Sequence, residues 1–170
     1  MSVTYMQNLN FYNTLLKNMQ QTQPNLAEHL DEEINILIHK LKFIPEDQRP
    51  SVLILEQQTG FQPLFNEQLG DSIAIAGGKL LTEKYDNPSL LFIVQENDKL
   101  YTDVPALLLD EILSRTDAVQ SNNVYIIQKR NFGMESNDFL HDLEICAEIV
   151  QPKYFIYGRK GTDWVQFDIA

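Results

Sequence analysis

The chain has 170 residues, 44% of them hydrophobic, and a formal net charge of -11 from 24 acids against 13 bases. That length and apolar content suit one domain with a core of its own. The charge excludes an electrostatic grip on a phosphate backbone, which needs concentrated Lys and Arg, so nucleic acid is not an expected partner.

The opening residues, MSVTYMQNLN, lack the basic and apolar regions of an export signal, and no stretch approaches the ~20 apolar residues of a membrane helix. As written, the chain is expected in the cytoplasm, or in the periplasm if an export signal has been removed. Residues 6–20 place Leu9, Tyr12, Leu16 and Met19 at helical spacing, and Pro24 interrupts the run. From Asn25, read as the N-cap, Leu26, Leu30, Ile34, Leu37, Ile38 and Leu41 form one apolar stripe, which predicts a second and stronger helix. Pro45 and Pro50 then end it and release an extended segment.

Three apolar, β-branched runs follow: SVLIL at 51–55, SLLFIV at 89–94 and NVYII at 123–127. Each reads as a strand buried on both faces of a parallel sheet. Between them lie FNEQLGDSIAIAGG, whose Gly77 and Gly78 suit a helix C-terminus, and VPALLLDEILSR, an amphipathic helix. DFLHDLEICAEIV, with Phe139, Leu143, Ile145, Cys146, Ile149 and Val150 on a broad apolar face, predicts a last helix stopped by Pro152. The aromatic tail from Tyr154 alternates around a GRKG turn and is expected to form a small hairpin. Strands alternating with helices point to right-handed crossovers and to an α/β fold class. The expected architecture is a three-layered, Rossmann-like single domain over residues 1–170 with a mostly parallel sheet: a helical N-terminal segment at 1–44 precedes an α/β lobe at 45–170.

Little of the sequence carries chemistry. His29, His39 and His141 have no metal-ligand spacing, and the first two stand about 15 Å apart along one helix. No phosphate loop, dinucleotide fingerprint or nucleophile elbow occurs, and AGGK at 76–79 closes a helix instead of opening one. Cys146, the single cysteine, forms no internal disulfide, and its offset of five from His141 turns the two side chains apart on one helix. Acidic neighbours such as Asp110 and Glu111 read as a solvated face. We therefore expect no catalysis and no metal centre. What remains are the loops after the carboxyl ends of the three strands, where doubly wound sheets bind ligands. They carry Gln57, Gln58, Thr59, Phe61, Glu96, Tyr101, Lys129, Arg130 and Phe132, able to hydrogen-bond to and stack on a small molecule. Surface loops are polar in any case, so this composition alone leaves ordinary solvation open.

The order of segments resembles one family. EEINILIHKLKFIPEDQRPSVLIL is similar to the long helix, connector and first strand that open the C-terminal lobe of periplasmic binding proteins for ferric siderophores, haem and cobalamin. FNEQLGDSIAIAGGKLL resembles that lobe's next helix with its Gly-Gly ending. NPSLLFIVQEN, PALLLDEILSRTDAVQSNNVYII and LHDLEICAEIVQPKYF are similar to its following strand, helix-loop-strand and closing helix. The resemblance spans about residues 30–156 and is carried by helix-strand patterns instead of a sharp motif. It implies a non-catalytic lobe serving an ABC transporter, with a ferric siderophore or cobalamin as ligand; Gln58, Thr59, Phe61, Lys129, Arg130 and Phe132, after the first and third strands, fall where such lobes face it, while Glu96 and Tyr101 are expected contacts from strand direction alone. Lys129 and Arg130 would pair with an anionic chelate, and Glu67 falls near the acid with which such lobes dock on a permease. The competing expectation is a structural or protein-interaction module, a lone lobe whose cleft surface forms a homodimer or meets a protein partner.

Overall fold

A computed structural model describes residues 8–169; positions 6 and 7 of the expected first helix lie outside them. Three apolar runs form the centre of one sheet. β1 (Ser51–Glu56), β4 (Leu90–Val94) and β5 (Val124–Ile127) lie side by side and parallel, with Ile54 opposite Phe92 and Phe92 opposite Tyr125. The interiors of β1 and β4 are buried, as helix-covered faces require, and β5 is buried except for the half-exposed Tyr125. Side chains alternate along each strand. Val52 and Ile54 enter one core, with Phe92, whereas Leu53 and Leu55 enter the other, with Leu91 and Ile93.

Three short strands close the edges. β2 (Gln62–Pro63) folds back antiparallel on the end of β1, pairing Glu56 with Gln62, while β3 (Lys79–Leu80) runs parallel to the start of β1, pairing Ser51 with Lys79. On the far side β6 (Trp164–Phe167) pairs antiparallel with β5, Tyr125 opposite Gln166. This corrects the expected terminal hairpin. Glu148 draws the tail back to the sheet: its carboxylate accepts the backbone amides of Tyr157, Gly158 and Arg159 and the Trp164 indole N–H at 2.8 Å.

One face of the sheet carries α1 (Asn10–Thr22), α2 (Pro24–Leu41), α3 (Glu67–Ile75) and α6 (Phe139–Val150). The expected Asn25 cap is corrected: α2 opens on Pro24, whose fixed φ and missing N–H suit the first helical position, and Gln23 makes the corner. Leu26 consequently lies outside the buried stripe that Leu30, Ile34, Leu37 and Leu41 supply. The first turn of α1 meets the buried Asp71 of α3, which accepts the Tyr12 amide at 2.9 Å, a carboxylate where the helix dipole favours one. Burial raises the Asp71 pKa, and the amides of Tyr12 and Phe11 work against that rise. The C-terminus of α3 bears out the expected glycine cap. Gly77 sits at φ 90, its amide reaches the Ala74 carbonyl at 3.1 Å, and the Gly78 amide reaches that of Ile73 at 2.9 Å.

The opposite face is covered by α4 (Leu100–Leu107) and the four-residue α5 (Asp117–Gln120). A single helix over 104–115 was expected, and the structure differs. Helix α4 begins earlier, holds Pro105 inside it, and stops where the Asp110 carboxylate takes the amides of Ile112 and Leu113, both at 3.0 Å. A side chain that satisfies the amides ahead of it offers the backbone a turn in place of a continued helix.

Candidate functional site

Because β1, β4 and β5 run parallel, their carboxyl ends open on one rim, and the loops there are tied together. The Gln57 side chain crosses from the β1 loop to the β4 loop. Its oxygen accepts the amides of Glu96 at 2.7 Å and Asn97 at 3.0 Å, and its nitrogen donates to Asn97 Oδ1 at 2.8 Å. From the β5 loop, Gln128 donates to the Tyr101 hydroxyl at 3.0 Å. Each tether is worth about 1 kcal/mol, enough in sum to hold three short loops as one platform. Gln58, Thr59, Glu96, Tyr101 and Arg130 are exposed on it.

The β5–α6 loop is held more firmly. Asn66 caps α3 by accepting the Leu69 amide at 2.8 Å and donates to the Gly133 carbonyl at 3.1 Å, while Gln68 donates to the Glu135 carbonyl at 2.9 Å. Gly133, at φ 75, lies so close to α3 that an added Cβ would stand 2.5 Å from Leu69 Cδ2. The Asp142 carboxylate, wholly buried on α6, accepts the Gly133 amide at 2.9 Å and lies 2.9 Å from Lys129 Nζ. Burial raises the Asp142 pKa, opposed by Lys129 and the Gly133 amide. Burial also works against the Lys129 charge, but Asp142 and Asp138 outweigh it and hold the ammonium above its ordinary value.

Three of the expected contacts therefore have other tasks. Phe132 is 1% exposed and belongs to the core between the sheet and α6, so its ring presents no surface to a ligand. The Lys129 side chain is only 10% exposed and is shared between Asp142 and Asp138. Phe61, at φ 65, turns from the rim into a side cleft with Leu107 and Tyr85. Glu67 stands exposed at the first residue of α3. Near it Phe65 and Met134 are 54% and 61% exposed, two residues that sequence reasoning missed because only the fold decides which apolar side chains of a loop stay in water.

His29 and His39 are exposed on α2, whereas His141 and Cys146 are held or enclosed. His141 Nε2 lies 2.8 Å from Asp163, and burial pushes the Cys146 thiol well up. Among the described residues no group of three or more His, Cys, Asp or Glu could hold a metal ion, and no helix is long and apolar enough to cross a membrane.

No family model matches the sequence, and no curated protein matches it significantly. Solved structures do. An ABC transporter substrate-binding protein from Listeria monocytogenes superposes with a TM-score of 0.66 at 19% identity, over 82% of this chain and 63% of that one. IsdE of S. aureus, solved with haem, gives 0.59 at 16%, over 83% of this chain and 64% of its own. The TroA-like periplasmic binding protein FepB from Veillonella parvula gives 0.59 at 15%, over 85% and 53%. This chain thus spans between about half and two thirds of the length of these proteins. At such identities the likeness speaks for the fold, which is the lobe fold of the TroA-like periplasmic binding proteins.

Proposed function

We propose that this chain is a non-catalytic binding lobe whose carboxyl-end rim forms one wall of a site for a metal chelate of the ferric siderophore, haem or cobalamin type, in the service of an ABC transporter. The observation that carries the reading is the rim: three parallel strands end together, and Gln57 and Gln128 tie their loops into a platform before any ligand arrives. A platform ordered in advance spares the ligand the entropy of ordering it. Arg130 supplies the cation for an anionic chelate, Tyr101 a ring for stacking, and Gln58, Thr59 and Glu96 the hydrogen bonds. Glu67, with Phe65 and Met134 beside the same helix start, suits docking on a transporter partner, which would place the lobe on the outer side of the membrane. The two exposed apolar side chains favour one second reading, a protein-interaction module whose rim is covered by another copy or another protein.

The test is a thermal unfolding series with hemin, ferric enterobactin and cyanocobalamin as separate probes. A chelate at 100 times its dissociation constant adds about 2.7 kcal/mol, a shift of several degrees for a domain of this size. Arg130→Ala should abolish the shift for an anionic chelate while the unliganded melting temperature stays put, because the side chain is exposed. Flat curves with all three probes, together with a dimer by light scattering, would select the interaction module.

A further inference from the structure

We propose that a second small-molecule site lies beside the outer edge of β1, between the loop that follows it and the segment after β3, in a cleft of about 440 Å³ lined by Phe61, Tyr85, Leu107 and the Lys84–Asp110 ion pair, and that it takes a neutral, ring-bearing molecule with one oxygen acceptor. The volume falls in the range of small-molecule pockets, roughly 300–1,000 Å³.

The backbone of Phe61 points there first. Gly60 and Phe61 both occupy the left-handed region, at φ 75 and φ 65, and the Phe61 amide closes the turn on the Glu56 carbonyl at 2.8 Å. Glycine takes that conformation freely, whereas a bulky side chain there costs about 1–2 kcal/mol. The turn needs no aromatic ring. The strain is retained with a ring that is only half-buried against the core on that side of the sheet, leaving part of it to line the cleft. Tyr85, 71% exposed, lines the same cleft from the segment after β3.

The polar end is fixed by Asp110. Its carboxylate already takes the amides of Ile112 and Leu113, and Lys84 Nζ sits 3.2 and 3.3 Å from its two oxygens. An ammonium carries three N–H donors, and two carboxylate oxygens engage at most two of them in linear bonds, so one remains for a ligand. Glu83 and Asp110 against Lys84 leave the lining with one more negative than positive charge. That balance, on a chain of net charge -11, repels carboxylates and selects a carbonyl or hydroxyl as the acceptor.

Acetophenone is the probe, with ethylbenzene as its near-isostere lacking the oxygen, each titrated into 15N-labelled protein and followed through the backbone amides. The expected result is saturable shifts confined to residues 60–62, 82–85 and 107–113, with ethylbenzene at least fivefold weaker. Phe61→Gly should weaken acetophenone at least tenfold with little change in melting temperature, since relief of the strain offsets the loss of a half-buried ring. Tyr85→Ala, at an exposed position that folding does not need, should weaken it severalfold. Shifts scattered over the surface, shifts on the rim at 58–59, 96–101 or 128–130, no shifts at all, or Phe61→Gly and Tyr85→Ala binding like the parent would each overturn the proposal. The chelate series above reads the rim independently, so either site can fail without the other.

Discussion

The two faces of the sheet are covered very differently. On one, α1, α2, α3 and α6 stack two helices deep and are fastened by buried polar clamps: Asp71 on the start of α1, Asp142 on Gly133 and Lys129, Glu148 on the tail. On the other, the eight-residue α4 and the four-residue α5 are joined by turns, and the cleft at Lys84 stays open. A carboxylate buried among amides draws distant segments into one cooperative unit. Short helices with side-chain turns fasten only what adjoins them. The deep face is therefore expected to unfold globally and the shallow face locally.

Substitutions can break or sharpen that contrast. The largest effect is expected from Gly133→Ala, which adds a Cβ into Leu69 at a backbone angle alanine resists. Clash and angle together should cost about 3 kcal/mol in urea unfolding, with the midpoint lowered. Glu148→Gln should follow at about 2 kcal/mol, because three backbone amides and an indole N–H lose a charged acceptor in a buried place. The tail near Trp164 should then exchange its amide hydrogens faster than α4 does, reversing the order in the parent. Smallest, and of opposite sign, is Pro105→Ala. It removes a proline from inside α4 and should stabilise the shallow face by about 1 kcal/mol, seen as slower local exchange in residues 100–108. A Gly133→Ala protein as stable as the parent would mean that the rim loop is not clamped to α3.

What the sequence disclosed follows from the range of the forces involved. SVLIL, SLLFIV and NVYII could be read as parallel central strands because burial on both faces demands unbroken apolar runs, and Gly77 could be read as a cap because a helix end poses a local problem. The rim could be placed for the same reason, since it follows from strand direction. The tasks of its side chains could not. Lys129 appeared as a free cation because its partners Asp138 and Asp142 lie nine and thirteen residues on, brought together only by the fold of the loop. Phe132 and Met134, two apart in one polar segment, take opposite fates, one buried and one exposed, decided by where Gly133 touches Leu69. The expected tail hairpin gave way to β6 because Glu148, on the preceding helix, supplies the contacts that a turn sequence cannot announce.

The divided cover along β1 has a consequence for how the molecule behaves among its copies. A long bare strand flank is a template on which other chains can lengthen a sheet. Here that flank is split between two dipeptides of opposite polarity, one carrying Pro63, which has no amide to offer an incoming strand. The other flank, β6, is four residues long, about 13 Å. Neither side offers a run long enough to seed stacking, so concentrated solutions should resist fibrous growth even after partial warming has loosened the shallow helices.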